Sequence, residues 1–310
     1  MSSGVLPFLD SARLRELLPW PDSITAIETT LLSDTAAHTA LPRTVVETDA
    51  GQLLLMPAAG RRHAGVKIAT VAPGNPAAGL PRIQGVYVLF DADTLSPVAL
   101  MDAAELTVRR TAAVSAVAVA HLAPAGATRL VVFGTGPQAR GHLAAIAAIR
   151  HLERVTVIGR DPGRLSAFLR SVATEDFPIE PGTGSDLAAA DIVVCATSSR
   201  RPLFDSTLLP DHATVVAIGS HEPTAREVDT ALVARATVVV ESRESALREA
   251  GDLLIPIAEG GLGSESIAGD LGQLVRGQVL VPTDRPRLFT SVGEAWEDLA
   301  LAGAALDRST

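Results

Sequence analysis

The chain has little cysteine and few aromatic residues, and it is not rich in positive charge. It has 310 residues and one cysteine, Cys195, so no disulfide within the chain and no cysteine-based zinc site can form. Aromatic residues make up 3%, which disfavours a stacking surface for single-stranded nucleic acid. The formal net charge of −9 disfavours nucleic acid and anionic membranes as partners. Hydrophobic residues make up 47%, which excludes disorder as the main state.

Membrane and export segments are not expected either. The longest stretch of small apolar residues, 112–120, is too short to cross a bilayer and ends at His121. The first ten residues lack the charged and apolar regions of a signal peptide. We therefore expect a cytoplasmic globular protein, without a metal site.

Lysine is the scarcest charged residue. Of the 26 cationic residues, only Lys67 is a lysine and the rest are arginines. An ammonium is a compact charge with a tunable pKa, and a guanidinium replaces it in neither respect. Lys67 also lies in a strand-like apolar run, which would place its side chain on one defined face. A functional lysine is favoured over a surface lysine retained by chance.

The pattern of elements changes near residue 106. Before it, two helices precede strand-like runs joined by short turns, which indicates an antiparallel or mixed sheet. After it, a helix over 107–122 leads into short β-branched strands that alternate with helices, which is typical of a parallel sheet covered on both faces. A last helix is predicted over 289–305. The strands are predicted over 43–48, 52–56, 65–71, 83–91, 129–133, 155–158, 192–196, 214–218 and 237–240.

A glycine-rich turn follows the strand at 129–133. Residues 134–139 read Gly-Thr-Gly-Pro-Gln-Ala and fit the dinucleotide motif G-x-G-x-x-A between a strand and a helix. Gly134 would allow the tight turn, Gly136 the approach of a pyrophosphate, and Ala139 close packing of the helix on the strand. The helix that starts at Pro137 and Gln138 would present its amide donors to the phosphates. A glycine turn without a ligand is the alternative.

The end of the next strand bears on the type of cofactor. NAD-selective sites place an acidic residue there, whereas this chain has Arg160, which could pair with a 2′-phosphate. We therefore expect NADP(H), with NAD(H) possible. Arg160 could instead be solvated, with Asp161 taking the acidic role one position later.

Several motifs along the chain together resemble the ornithine cyclodeaminase/mu-crystallin family. The resemblance implies an α/β fold, in which a Rossmann doubly wound parallel sheet is inserted into a discontinuous α+β domain for substrate binding and dimerisation. It implies a substrate and dimerisation domain over 1–112, a dinucleotide domain over 113–284, and a helix over 285–310 that returns to the first domain. A homodimer is expected from the family alone. The matching stretches are Pro42-Arg43, Gly65-Val66-Lys67, 106–113, 134–139, 219–223 with 226–229, and Ser291-Val292-Gly293.

The same resemblance assigns candidate site residues. Arg43, Lys67 and Arg110 fall where the family holds the substrate carboxylate, although Arg110 could instead face solvent, as Arg109 is expected to. Cys195 is expected to be core only. The residues near the expected path of the cofactor are Thr111, Gly136, Gln138, Arg160, Thr197, Ser220 and Ser291.

Two departures from the family pattern indicate the subclass. Ornithine cyclodeaminases and related alanine dehydrogenases carry an Asp where this chain has His221. Cyclodeaminases also carry a Glu near the apolar run 53–57, and this chain has none. A diamino acid would then lack a partner for its second ammonium, whose unpaired burial is costly. The pattern therefore resembles the ketimine reductase branch.

The expected reaction is reduction of pyrroline-2-carboxylate or piperideine-2-carboxylate to the L-imino acid with NAD(P)H. Lys67 and His221 are the candidate catalytic residues, and His221 could relay a proton to the imine near neutral pH. A passive wall residue or a cofactor contact is an equal alternative for His221. Other functions left open are an ornithine or lysine cyclodeaminase, an alanine or N-alkyl amino-acid dehydrogenase, and a non-catalytic NADP(H)-binding protein like mu-crystallin.

Overall fold

The computed structural model describes residues 5–33, 42–173, 176–260 and 262–309. It divides into two compact units, the first formed by 1–110 with 294–310 and the second by 111–293. The strands are β1 (Phe8–Leu9), β2 (Thr44–Thr48), β3 (Gly51–Ala59), β4 (His63–Val71), β5 (Ile83–Asp91), β6 (Pro97–Asp102), β7 (Arg129–Phe133), β8 (Arg154–Ile158), β9 (Ile179–Pro181), β10 (Ile192–Cys195), β11 (Thr214–Ala217), β12 (Thr237–Val240), β13 (Ile267–Asp270) and β14 (Arg287–Thr290). The α-helices are α1 (Ser11–Leu17), α2 (Trp20–Leu32), α3 (Ala103–Leu122), α4 (Pro137–Ala147), α5 (Pro162–Ser171), α6 (Thr230–Arg235), α7 (Arg243–Glu249), α8 (Gly251–Ala258), α9 (Leu271–Val275) and α10 (Ala295–Ser309).

The first unit is built on a mixed sheet of six strands. Its order is β1-β6-β5-β4-β3-β2, antiparallel except that β1 runs parallel to β6. Alternate residues of β4 from Gly65 to Val71 are buried, as are Tyr87 and Leu89 in β5, which is expected for strands with one face on a core. Helix α10 packs against β3, β4 and β5, and also contacts α2. The face that carries Lys67 is therefore the inner face of this sheet.

The second unit is built on a parallel sheet of eight strands. Its order is β13-β12-β14-β11-β10-β7-β8-β9. Strands such as β10 and β11 are buried throughout because helices cover both faces of such a sheet. The chain runs outward from β7 through β8 to β9 and then returns to β10 beside β7, so the strand order reverses there. Open α/β sheets bind ligands at this reversal, beyond the carboxyl ends of the strands.

The predicted fold class is confirmed, while several element and unit boundaries differ from the sequence-based ones. The last helix begins at Ala295 rather than residue 289, because Phe289 lies in β14, which pairs with β11 and β12. Residues 285–293, predicted to belong to the C-terminal segment, therefore lie in the second unit, which ends at Gly293. The first division falls between Arg110 and Thr111, within α3, rather than after residue 112.

A predicted solvent position also proves wrong. Arg109 is 7% exposed, because its guanidinium donates to the Leu18 carbonyl at 2.7 Å and lies over the Trp20 ring. Cys195 lies in the core, as predicted, and is fully buried. Across the described ranges no helix is long and apolar enough to cross a membrane, and no group of His, Cys, Asp and Glu side chains could hold a metal ion.

Candidate active site

Lys67 lies on the inner face of β4 and is buried. It is 3% exposed, and its Nζ donates to Asp298 Oδ2 at 2.7 Å and to Thr107 Oγ1 at 3.4 Å. Strand alternation fixes this direction, because a lysine one residue earlier or later would face the other side of the sheet. The prediction that Lys67 occupies one defined face is confirmed. A retained surface lysine is excluded.

Burial lowers the pKa of the Lys67 ammonium from 10.5 to about 8. The charge of Asp298 and its hydrogen bond raise this pKa, whereas the charges of Arg110 and Arg43 lower it further. The three predicted cations therefore lie close enough to influence one another within the first unit. Arg43 directly precedes β2 and is half-buried.

Arg110 is buried in α3 rather than exposed to solvent. It is 7% exposed, and its guanidinium reaches Glu297 Oε2 at 2.7 Å and lies 3.8 Å from Asp298 Oδ1. Glu297 and Asp298 are both fully buried on α10. Sequence reasoning missed these two acids. A pair of carboxylates inside the otherwise apolar segment Ala-Trp-Glu-Asp-Leu-Ala-Leu-Ala was the signal that could have revealed them, because acids are almost never fully buried unless paired.

The acids of α10 change the charge of the candidate carboxylate site. Arg43, Lys67 and Arg110 contribute three positive charges, and Glu297 and Asp298 contribute two negative ones. When all are ionised, these five side chains carry a net charge of +1 (three minus two). Such a cluster complements a ligand with one carboxylate, and it avoids burying several cations without counter-ions.

The glycine-rich turn has the geometry that the motif requires. Gly134 has φ +119°, and a Cβ there would lie 2.4 Å from the Ala196 carbonyl oxygen, so only glycine fits. Gly136 is the N-cap of α4, and a Cβ there would meet no atom within 4 Å. Pro137 opens α4, and Ala139 is fully buried against the sheet. Gly136 thus leaves open space at the N-terminus of α4, where backbone amides and the helix dipole suit a dinucleotide pyrophosphate.

The remaining predicted cofactor residues of the second unit follow carboxyl ends of its strands. Arg160 comes after β8, Thr197 after β10, Ser220 after β11 and Ser291 after β14. The structure thus brings these turns to the same edge of the sheet as Gly134. His221 is half-buried beside Ser220. Thr111, in α3, is 6% exposed and opens the second unit.

The hydroxyls of Ser220 and Ser291 already donate hydrogen bonds within the protein. The Ser220 hydroxyl donates to the Ala225 carbonyl, and the Ser291 hydroxyl donates to Glu241 Oε1 at 2.9 Å. Glu241 also accepts from the Gly293 amide at 2.7 Å, so it fixes the turn after β14. The serine hydroxyls can therefore offer a ligand an acceptor lone pair.

The residues after β8 bear on the two interpretations of this position. Asp161 is the N-cap of α5, and its Oδ1 accepts from the Arg164 amide at 2.9 Å. That carboxylate is engaged in capping the helix, whereas the Arg160 side chain is exposed. The capping contact makes Asp161 less available to a ribose, and the exposure of Arg160 fits both a partner for a 2′-phosphate and a solvated side chain.

Comparison with known proteins bears out the resemblance. A Delta(1)-pyrroline-2-carboxylate reductase of Bacillus cereus is 36% identical over 264 residues, which span 83% of this chain and 81% of the relative. An NAD(P)H-dependent anabolic L-arginine dehydrogenase of Pseudomonas aeruginosa is 37% identical over 228 residues, 72% of this chain and 71% of the relative. The structure of Thermococcus litoralis Delta(1)-pyrroline-2-carboxylate reductase with NADH and L-proline matches with a TM-score of 0.92 at 27% identity, covering 98% of this chain and 97% of that one. The sequence model of the ornithine cyclodeaminase/mu-crystallin family matches residues 8–310. The chain therefore belongs to this family of NAD(P)-dependent oxidoreductases.

Proposed function

We propose that the protein reduces a small cyclic ketimine carboxylate, pyrroline-2-carboxylate or piperideine-2-carboxylate, to the L-imino acid with NAD(P)H. The observation that carries this proposal is the cluster of buried Lys67 and Arg110 and half-buried Arg43 with two buried α10 acids, whose net charge suits one carboxylate. The 36% identity to a Delta(1)-pyrroline-2-carboxylate reductase supports the same substrate class.

Each of the three cations makes a different contribution to binding the substrate carboxylate. Arg110 offers a planar pair of donors that can bind a carboxylate bidentately, and Lys67 adds a point charge. Arg43 lies beside them and supplies the third charge. Holding the carboxylate in this way fixes the orientation of the adjoining C=N carbon, and positioning of this kind provides much of the rate in a two-substrate reaction.

Neither β3 nor α10 offers an uncommitted acid to a second substrate ammonium. Strand β3 has the sequence GQLLLMPAA and carries no acid. The two buried acids on α10 are each bonded to a cation, Glu297 to Arg110 and Asp298 to Lys67. A diamino acid would leave a charged amine buried without a counter-ion, which is costly. A substrate with a single ring nitrogen therefore fits better than ornithine or lysine.

The imine nitrogen must be protonated to accept hydride, which the bound nicotinamide supplies. Lys67 is a candidate donor because its pKa of about 8 leaves it mostly protonated at neutral pH and able to release a proton. His221 is the second candidate, since it follows β11 at the crevice edge. Lys67→Ala is expected to lower kcat/KM far more than His221→Ala. If His221→Ala keeps normal turnover and an unchanged pH profile, His221 has no acid role.

The preferred cofactor in this proposal is NADP(H). The exposed Arg160 can pair with a 2′-phosphate, while Asp161 is engaged in capping α5. Arg160→Ser is expected to weaken NADPH binding about tenfold and leave NADH binding unchanged, since it removes one charge-assisted contact. A wild-type preference for NADH, which the Thermococcus relative binds, would contradict the NADP(H) assignment.

A substrate panel separates the rival activities. Stoichiometric NADPH oxidation with cyclic imines supports the proposal. Oxidation that requires pyruvate with ammonia or an amine indicates an alanine or N-alkyl amino-acid dehydrogenase. Ammonia released from ornithine with catalytic nicotinamide indicates a cyclodeaminase, and turnover of arginine or its imine indicates an activity like that of the Pseudomonas relative. Cofactor binding without turnover of any panel member indicates a non-catalytic binder.

We further propose that the protein forms a homodimer through the outer face of the six-stranded sheet. Val66, Ile68, Val88, Phe90 and Leu100 lie on that face, opposite Lys67, and are only half-buried. An apolar sheet face of this kind usually needs a cover. Light scattering after size exclusion should give a dimer for the wild type and a monomer for Val88→Glu. A wild-type monomer would contradict the proposal.

A further inference from the structure

Glu227 is a fully buried carboxylate that joins two turns of the dinucleotide crevice. It lies between β11 and α6 and is 0% exposed. Its Oε1 accepts from the Thr197 amide at 2.8 Å and from the Thr197 hydroxyl at 2.6 Å, and its Oε2 accepts from the Gly219 amide at 2.7 Å. Thr197 follows β10 and Gly219 follows β11. One side chain therefore holds the carboxyl ends of two adjacent strands together.

The Glu227 carboxylate packs so closely against Gly219 that only glycine fits at that position. A Cβ at Gly219 would lie 2.6 Å from Glu227 Cδ and 2.0 Å from the Thr197 carbonyl oxygen. On the other side, a Cβ at Gly134 would lie 3.6 Å from Thr197 Cγ2. Thr197 therefore lies between Glu227 and the first glycine of the dinucleotide motif.

A second buried acid lies beside Glu227 and makes its ionised form energetically unfavourable. Asp252, on α8, is also fully buried, and its Oδ1 accepts from the Glu227 and Val228 amides at 2.7 and 3.0 Å. Within the described ranges Asp252 Oδ2 has no hydrogen-bond partner. The other titratable groups facing this pair are the buried Cys195 thiol and the partly buried Arg226. Two neighbouring buried carboxylates lower the stability of the fold. If Glu227 only linked the two turns, a neutral side chain that accepts hydrogen bonds would do so at a smaller cost.

We infer that Glu227 is a positioning residue for the dinucleotide, because its carboxylate holds the turns after β10 and β11 in the arrangement that receives the cofactor beside Gly134. The inference concerns cofactor binding and stands whether or not the proposed imine substrate is right.

Ionisation of Glu227 then couples cofactor binding to pH. The ionised carboxylate accepts all three donors, whereas the protonated acid presents one O–H toward a donor and loses a contact. Burial, with the nearby Asp252 charge, raises the pKa of Glu227 to about 7. Binding selects the ionised form, so cofactor affinity should increase between pH 6 and pH 8.

The test measures NADH and NADPH binding by calorimetry at pH 6, 7 and 8, without substrate. NADH is the decisive probe, because it lacks the 2′-phosphate monoester that itself titrates near pH 6. For Glu227→Gln we expect NADH binding about tenfold weaker at pH 8 and nearly independent of pH, since its amide N–H₂ would face a backbone donor. Burial raises the pKa of Asp252 to about 6, so this group titrates at the low end of the range, and the change in affinity between pH 7 and pH 8 is the part that reports Glu227.

Two further variants keep the test decisive. Glu180→Gln changes an exposed acid of the same unit, bonded to Arg154, and should bind NADH like the wild type at each pH. Thr197→Val removes one donor to the carboxylate and should move the midpoint of the pH dependence upward, because hydrogen bonds to the ionised form lower its pKa. Wild-type affinity and pH dependence in folded Glu227→Gln would overturn the inference. If that variant does not fold, an unchanged midpoint in Thr197→Val would overturn it.

Discussion

Replacing Asp298 by asparagine tests how the buried lysine is kept charged. Lys67 Nζ and Asp298 Oδ2 are 2.7 Å apart, with side-chain exposures of 4% and 0%. The amide keeps the shape and an acceptor oxygen, but it removes the negative charge. An ammonium would then remain buried with Arg110 and Arg43 nearby. Breaking a buried pair on one side costs about 3 kcal/mol of the free energy of unfolding.

The same change should lower the pKa of Lys67 well below 8. Asp298 raises this pKa both by its charge and by its hydrogen bond, whereas burial, Arg110 and Arg43 all lower it. Each pKa unit corresponds to about 1.4 kcal/mol, so losing about 3 kcal/mol of stabilisation permits a shift of more than one unit. If Lys67 must be protonated for catalysis, kcat/KM should fall at least tenfold at pH 8 and less at pH 6.

The assay follows NADPH absorbance with pyrroline-2-carboxylate from pH 6 to 9. The ratio of variant to wild-type kcat/KM cancels the titration of the imine itself, since both enzymes use the same substrate. Asp307→Asn is the matched control, because Asp307 lies on the same helix in an exposed pair with Arg62 at 2.8 Å. This control should leave activity and stability unchanged. A constant ratio for Asp298→Asn across the range would refute the argument.

Stability should show the complementary trend. Lys67 has a lower pKa in the folded than in the unfolded protein, so the folded state gains stability as pH rises from about 8 toward 10.5. In Asp298→Asn this gain should begin at lower pH, because the lysine loses its proton earlier. The stability difference between wild type and variant should therefore be largest near pH 6 and shrink toward pH 9. Chemical denaturation at both pH values measures it.

Three other substitutions follow from the same contacts. Tyr87→Phe removes a fully buried hydroxyl that has no hydrogen-bond partner within the described ranges, and should raise the free energy of unfolding by about 1 kcal/mol; a loss would show that the hydroxyl is bonded. Gly134→Ala places a Cβ 2.4 Å from the Ala196 carbonyl oxygen at φ +119°, and should weaken dinucleotide binding more than tenfold by calorimetry; unchanged affinity would contradict the turn geometry. Lys67→Arg should lower kcat far more than it raises KM, and its kcat/KM relative to wild type should rise above pH 8, where wild-type Lys67 loses its proton.

Features encoded locally could be predicted from the sequence. The bounds of β5, β7 and β12 match the expected ones because these runs are β-branched and bordered by turn residues. The dinucleotide turn was evident because the motif, its strand and its helix are contiguous. By contrast β13, with the sequence Ile-Ala-Gly-Asp, has little strand propensity and forms only through pairing with β12.

Partners distant in sequence could not be predicted. Lys67 and Asp298 are 231 residues apart, and no local pattern links a strand lysine to an acid of the last helix. The same limit explains Arg109, whose place beside an arginine of the site suggested solvent, although Trp20 and the Leu18 carbonyl bury it. The sequence predicted three cations at the carboxylate site. The fold adds two acids of α10, so the net charge of these five side chains is +1 (three minus two).

The chain uses arginine wherever a cation is needed except at position 67, and the structure gives a physical reason. Arg110 already provides a fork for a carboxylate, so a second guanidinium would add charge without new chemistry. A guanidinium keeps its proton far above pH 8, whereas Lys67 can release one near that pH. Lys67→Arg should therefore still attract the substrate but fail to donate a proton. If that variant keeps wild-type kcat, and its kcat/KM relative to wild type stays constant above pH 8, the lysine contributes charge alone and the proton comes from elsewhere.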